Sequence, residues 1–234
     1  MAADAGVEVS VLVPVYNERE RVESALDELL ATPISSESWE VLVVDDGSTD
    51  GTREILASRE WPNHVRFFRH ERNRGKGAAL RTAIDAARGT YATVMDADLE
   101  YSPADIVLLL DPLRRGDADA VFGTRGFQAH SAYSFWYVMG NRAVTLATNV
   151  IYNSWISDIM TGQKAIRADI FRELDLRERG FAIEAEITAK LLRRGIRIYE
   201  VPIVYNARSR EEGKKLTALD GLRVLRTLLR CRFL

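Results

Sequence analysis

Val7-Glu8-Val9-Ser10-Val11-Leu12-Val13-Pro14-Val15-Tyr16-Asn17-Glu18 is the stretch whose reading decides the fold. Residues 7–13 are a short apolar run, which reads as a buried strand, and the run ends in polar and turn-forming residues. An amphipathic pattern over about 18–31 then predicts a helix. The same alternation continues along the first half of the chain. Strands are expected at 41–44, 65–69, 91–95 and 120–122, and helices at 50–58, 77–87 and 103–115. Strands separated by helices at this spacing predict an α/β fold with a mainly parallel sheet covered on both faces.

In such sheets ligands sit beyond the carboxyl ends of the strands. The chain's unusual polar residues fall at those places. The first strand runs into Pro14-Val15-Tyr16-Asn17-Glu18, the second into Asp45-Asp46-Gly47-Ser48, and the fourth into Asp96-Ala97-Asp98-Leu99-Glu100. The strand near Val121 ends in Gly123-Thr124-Arg125. These four ends define one face, and that face is the candidate site.

Composition bounds the class. The chain has 234 residues, 47% hydrophobic and 28% charged, which suits one globular domain and excludes a disordered or fibrous protein. Its single cysteine, Cys231, cannot form an internal disulfide, and a reducing compartment is the expectation. No signal peptide opens the chain, and no apolar run is long enough to span a bilayer, so a soluble or peripheral protein is expected. Net charge is −2, yet residues 190–234 hold 12 Lys and Arg against 4 Asp and Glu. A basic tail on an acidic body suits phosphates or a membrane surface. No nucleic-acid motif accompanies it, and no nucleic-acid partner is expected.

Three segments carry chemistry. Asp96, Asp98 and Glu100 place alternating carboxylates straight after a buried strand, where they can converge on a hard cation such as magnesium or manganese. The competing reading is a solvated turn capping the next helix. Asp45 and Asp46 can accept hydrogen bonds from a base or ribose, with Ser48 or Asp50 capping the helix that follows. Asn73-Arg74-Gly75-Lys76-Gly77 is a basic, glycine-rich turn opening a helix, a place suited to an anion, without the spacing of a phosphate loop. An exposed turn is the alternative there.

Taken together, residues 11–18, 43–50, 73–77 and 95–98 resemble, in order and spacing, the family 2 inverting glycosyltransferases. The resemblance implies a GT-A (Rossmann-like), mainly parallel mixed sheet with helices on both faces, plus a C-terminal amphipathic helix. It implies that Pro14, Tyr16, Glu18 and Asp46 hold the base and ribose of a nucleotide sugar, to which the turns already read add Asp45 and Lys76 as binding candidates, and that Asp96, Asp98 and Glu100 serve the metal and diphosphate. On this reading the chain is one domain, with residues 7–125 as the nucleotide-sugar half and 126–234 as the acceptor-binding, membrane-contacting half.

The second half narrows the resemblance. Gly140-Asn141-Arg142, Thr148-Asn149, residues 157–162 and Lys164-Ala165 are similar to the matching stretches of dolichyl- and polyprenyl-phosphate sugar synthases. The tail 208–216 is similar to their basic motif, though it departs from the Arg-x-x-Gly-x-Ser-Lys form of the mannose enzymes and leaves the sugar open. A phosphate monoester is largely dianionic at neutral pH and already nucleophilic. It needs cationic clamping more than a base, and Arg125, Arg208, Arg210, Lys214 and Lys215 are the candidates, with Asp96, Asp98 and Arg125 as the catalytic set. The predicted reaction is transfer of a hexose from a UDP- or GDP-sugar to polyprenyl or dolichyl phosphate, with inversion and with Mg²⁺ or Mn²⁺.

Helices are predicted at 133–152, 181–194 and 217–230, and a strand at 196–204. In the last helix Arg223, Arg226 and Arg230 form a stripe opposite Val224, Leu225, Leu228 and Leu229, which suits either a bilayer surface or packing on the core. Tyr133, Phe135, Trp136 and Tyr137 pose the same choice. The expected location is cytoplasmic, peripheral at the inner face of the membrane, by direct contact or through a membrane partner protein. The rival enzyme acts on a saccharide hydroxyl and requires a base, for which Glu184 and Asp158 are candidates. A regulator that binds nucleotide sugar without turnover would be expected to lack the intact Asp96 and Asp98.

Overall fold

The computed structural model describes residues 6–35, 38–126, 135–206 and 218–233. Seven strands form one sheet in the order β3-β2-β1-β4-β6-β5-β7. Strand β1 (Val7–Val15) lies between β2 (Ser38–Asp45) and β4 (Tyr91–Val94), parallel to both, and β3 (Val65–Arg69) extends the sheet beyond β2. Strand β5 (Ala120–Arg125) pairs in parallel with β7 (Ile198–Ile203). A short strand unforeseen in the sequence, β6 (Lys164–Arg167), is antiparallel to both β4 and β5. The sheet is therefore mixed and mostly parallel, as expected.

Side chains alternate across the sheet, and each face acquires its own core. Val9, Val11 and Val13 of β1 point to the face covered by α1 (Val22–Ala31) and α4 (Asp105–Arg114), meeting Leu26 and Leu29 of one and Ile106 and Leu109 of the other. Leu12, Leu42 and Val44 point the other way, onto α3 (Lys76–Ala86), α6 (Ala168–Glu173) and α7 (Ile183–Arg193). A third cluster joins α5 (Phe135–Tyr152), α7 and α8 (Ala218–Phe233) through Val144, Ala185, Ala189, Val224 and Leu228. Cys231 is buried in that cluster, which fits an incidental thiol.

Two boundaries differ from expectation for local reasons. Helix α1 begins at Val22, because Asn17 takes a left-handed conformation (φ 53°) and residues 18–21 form a turn closed by the Val22 N–H on the Glu18 carbonyl at 2.8 Å. Strand β5 runs through Gly123 and Thr124 to Arg125, since β7 pairs with it along that length. The short helix α2 (Thr52–Ser58) has Gly51 (φ 103°) as its N-cap with no side-chain cap bond, so neither Ser48 nor Asp50 caps it; Asp50, one residue before, braces the entry by accepting the Thr52 N–H and hydroxyl at 3.0 and 2.6 Å.

Candidate active site

The carboxyl ends of β1, β2 and β4, with the end of β5, open into one cavity of about 340 Å³. Pro14, Tyr16 and Glu18 line it from β1, Asp46 from β2, and Asp96, Asp98 and Glu100 from β4. Lys76 and Arg125 complete the polar lining. Sequence spacing thus brings together residues from four strand ends, as the topology of a parallel sheet demands. Asp45 is not among the lining residues. It is 4% exposed and closes the turn, accepting the Ser48 N–H at 2.9 Å and the Arg53 Nε–H at 3.2 Å. Arg208, Arg210, Lys214 and Lys215 lie outside the described residues.

Asp46 organises the basic turn. Its Oδ1 accepts the Arg74 N–H at 3.0 Å, and its Oδ2 accepts the Gly75 N–H at 2.7 Å. Oδ1 is also 2.6 Å from His70 Nδ1, whose Nε2 in turn meets Thr82 Oγ1 at 2.9 Å. The turn's two amides are therefore engaged by a protein carboxylate. Glycine is required here by packing: a Cβ on Gly75 (φ +92°) or on Gly77 would lie 2.2 Å from the carbonyl oxygen of Arg179 or Glu178. The glycine-rich signal reports a close backbone crossing that delivers Lys76 to the cavity.

Lys76 sits in a buried chain of alternating charge. Its amine is 2.7 Å from Asp96 Oδ2 and 2.9 Å from Glu184 Oε1, while Glu184 Oε2 takes the amine of Lys164, which is 0% exposed. Lys164 also donates to the Thr161 carbonyl and lies over the Phe122 ring. Burial alone would raise Glu184, but Lys164 and Lys76 overrule it and hold its carboxyl below the usual range. Burial pulls Lys164 below the ordinary lysine value despite its acidic partner. Asp96 moves upward, because desolvation outweighs the attraction of Lys76.

The acidic run is braced by tyrosines. Tyr205 donates to Glu100 Oε2 at 2.6 Å, the Asn206 N–H bonds the Glu100 carbonyl at 2.8 Å, and the rings of Tyr101 and Tyr205 are 5.0 Å apart. The Tyr101 hydroxyl accepts the Gly162 N–H at 2.8 Å. Arg125 is 5% exposed, stacks 5.0 Å over Tyr205, and donates through two nitrogens to Asp158 at 2.6 and 2.9 Å. Asp158 Oδ1 further accepts Asn141 Nδ2–H and the Met160 N–H, both at 3.1 Å, and Asp158 does not line the cavity. His70, Tyr101 and Tyr205 were not singled out in the sequence, and Lys164 entered only within a matching stretch, with no role assigned. A tyrosine beside an acidic run reads as ordinary core, and a lysine inside a four-residue strand carries no pattern.

Whether these residues suit a divalent cation follows from the same geometry. Among the described residues no three of His, Cys, Asp or Glu gather closely enough to hold a metal. Asp96 gives one oxygen to Lys76 and Glu100 gives one to Tyr205. Asp98 is partly exposed in the cavity, and its Oδ1 accepts the Glu100 N–H at 3.1 Å. A site with one or two carboxylates completed by ligand phosphates is the arrangement magnesium commonly adopts, and the donor set fits that use.

Comparison with known proteins agrees with this architecture. Glycosyltransferase AglJ of Haloferax volcanii is 33% identical over 202 residues, covering 86% of this chain and 63% of that protein. A dolichol-phosphate mannosyltransferase of Pyrococcus furiosus is 27% identical over 212 residues, covering 89% of this chain and 59% of that one. The chain thus spans less than two thirds of either relative. In fold it resembles the glucosyl-3-phosphoglycerate synthase of Mycobacterium tuberculosis, crystallised with Mn²⁺, UDP and glucosyl-3-phosphoglycerate, at a TM-score of 0.71 and 24% identity, covering 98% of this chain and 81% of that one. The family model described as glycosyl transferase family 2 matches residues 10–175, which take in every described polar residue of the cavity outside Glu184 and Tyr205, and the chain belongs to that family.

Proposed function

We propose that the protein transfers a hexose from a UDP- or GDP-sugar to a polyprenyl or dolichyl phosphate, with inversion at the anomeric carbon. Pro14, Tyr16, Glu18 and Asp46 would hold base and ribose. Asp98, with Asp96, would hold Mg²⁺ or Mn²⁺ against the donor diphosphate, and the cation would supply charge stabilisation to the leaving group. Asp45 acts on this site by shaping the turn beside Asp46. Arg125, Arg208, Arg210, Lys214 and Lys215 would clamp the acceptor phosphate, and the lipid acceptor would hold the enzyme at a membrane surface.

One observation carries the choice of acceptor. The two carboxylates that the sequence offers as base toward a sugar hydroxyl, Glu184 and Asp158, are both committed to ion pairs. Glu184 is held ionised between Lys164 and Lys76, and Asp158 is locked on Arg125, Asn141 and the Met160 amide, outside the cavity. A carboxylate with a lowered pKa and two ammonium partners is a poor proton acceptor. A phosphate acceptor needs none, because it arrives deprotonated. Tyr205 lines the cavity and the Asn206 N–H bonds the Glu100 carbonyl, and Arg208 follows two residues later in the sequence.

The test is a radiolabel transfer assay with a panel of UDP- and GDP-sugars, magnesium or manganese, and polyprenyl phosphate. Metal-dependent label in the organic phase, lost in Asp98→Ala, is expected and names the sugar. Donor hydrolysis without lipid labelling would exclude this acceptor and turn the search to saccharide hydroxyls.

A further inference from the structure

Helix α5 is built inside out. Among its buried residues are Asn141, Thr145 and Thr148, while Phe135 (66% exposed), Trp136 (80%), Leu146 (65%) and Val150 (75%) face outward. At 100° per residue Phe135, Met139, Arg142, Leu146 and Val150 fall within one arc, so the exposed apolar residues form a continuous stripe along a helix about 27 Å long. A surface helix normally shows the reverse pattern. Trp136 lies beside the stripe at its start, and Trp155, 89% exposed, follows three residues after the helix ends. A patch of this kind on a protein surface marks an interaction site.

We infer that the outer face of α5 docks the protein onto an anionic lipid bilayer, with the helix lying along the surface. Charge complementarity selects this occupant. Helix α5 contains no acidic residue, and its exposed arc carries Arg142. The helix packed beside it, α8, adds exposed Arg223, Arg226 and Arg232 together with Leu222, Leu229 and Phe233. An exposed apolar stripe that holds an arginine, on a helix without acidic residues and packed against a basic helix, fits the acyl–headgroup boundary of anionic lipid. No helix among the described residues is long and apolar enough to cross a membrane.

The inner side of the same helix explains why this face would matter. Tyr137 lines the active-site cavity, and Asn141 bonds Asp158, the partner of Arg125. One helix would then touch lipid with one face and the catalytic cavity with the other, presenting the cavity to an acceptor whose phosphate lies at the bilayer surface. This purpose rests on the lipid-phosphate reading above, whereas the docking face rests on the exposed stripe alone.

The experiment is flotation of the chain with vesicles of phosphatidylcholine alone and of phosphatidylcholine mixed with phosphatidylglycerol. Wild type and the triple variant Trp136→Ser/Leu146→Gln/Val150→Gln are compared, and thermal melting and nucleotide binding report on folding. The expected result is salt-sensitive binding to the anionic vesicles, weakened about a hundredfold or more in the variant, with melting and nucleotide binding unchanged. Transfer to a short, water-soluble prenyl phosphate should persist in the variant, so failure of that reaction in wild type would speak against the acceptor and not against docking. No vesicle binding by wild type, equal binding by the variant, or a dimer that the variant dissociates would each overturn the bilayer as occupant.

Discussion

Removing the Asp158 side chain separates the two readings of its role. Asp158 and Arg125 have side chains only 2% and 3% exposed, joined by two hydrogen bonds, and Asp158 also accepts from Asn141 and Met160. Asp158→Ala would leave a guanidinium buried without its partner, a change that typically costs about 3–5 kcal/mol. In a chain of this size each kcal/mol lowers the melting temperature by about 2–4 °C, so a fall of roughly 6–20 °C is expected. The double variant Arg125→Met/Asp158→Leu removes both charges and should recover much of the loss, giving a large coupling in a thermal-melt cycle. The assay is calorimetry or circular dichroism on all the variants, with donor binding measured on those that fold. A melting temperature of Asp158→Ala within about 2 °C of wild type, with transfer abolished and donor binding intact, would refute the structural role and restore Asp158 as a base.

Further outcomes follow from the same geometry. Glu184 has its carboxyl held below the free value of 4.5, so it adds stability above that pH and loses it as pH falls through its folded value. Acid titration of stability should therefore show a limb below about pH 4.5 that Glu184→Gln flattens; an unchanged limb would contradict the ion-pair chain. Gly77→Ala forces a Cβ onto the Glu178 carbonyl at 2.2 Å and should destabilise by about 1–3 kcal/mol in urea unfolding, an effect absent if the turn is free of that crossing. Tyr205→Phe removes the 2.6 Å bond to Glu100 and should lower the affinity for metal with nucleotide about threefold to tenfold in calorimetric titration, leaving the melting temperature nearly unchanged.

Much of the fold was legible because its signals are local. The apolar run at 7–13, the strand at 65–69 and the helical periods around α3 and α4 each read correctly from a few residues, and alternation then fixed a parallel sheet with its site at the strand ends. Strand β6 was not legible. Lys164-Ala165-Ile166-Arg167 is four residues long, and it becomes a strand only because β4 and β5 leave a gap that it fills in the opposite direction. Within the site, Asp46 and Asp45 look equivalent in sequence, yet their side chains leave opposite faces of the strand end, and only Asp46 reaches the cavity. The basic turn at 73–77 looked like an anion cradle. Its amides serve Asp46 and its glycines yield to residues 178–179, a contact about a hundred positions away that no local pattern encodes.

A phosphate acceptor that needs no base can be tested by offering the enzyme a choice. With one labelled donor and divalent metal, polyprenyl phosphate is compared with the matching polyprenol, which carries a hydroxyl in place of the phosphate. Labelled product is expected from the phosphate alone, with little change in rate between about pH 7 and 8.5, where the phosphate is already dianionic. Transfer to the alcohol at a comparable rate would contradict that expectation, and would require a catalytic base that the ion pairs of Glu184 and Asp158 do not leave available.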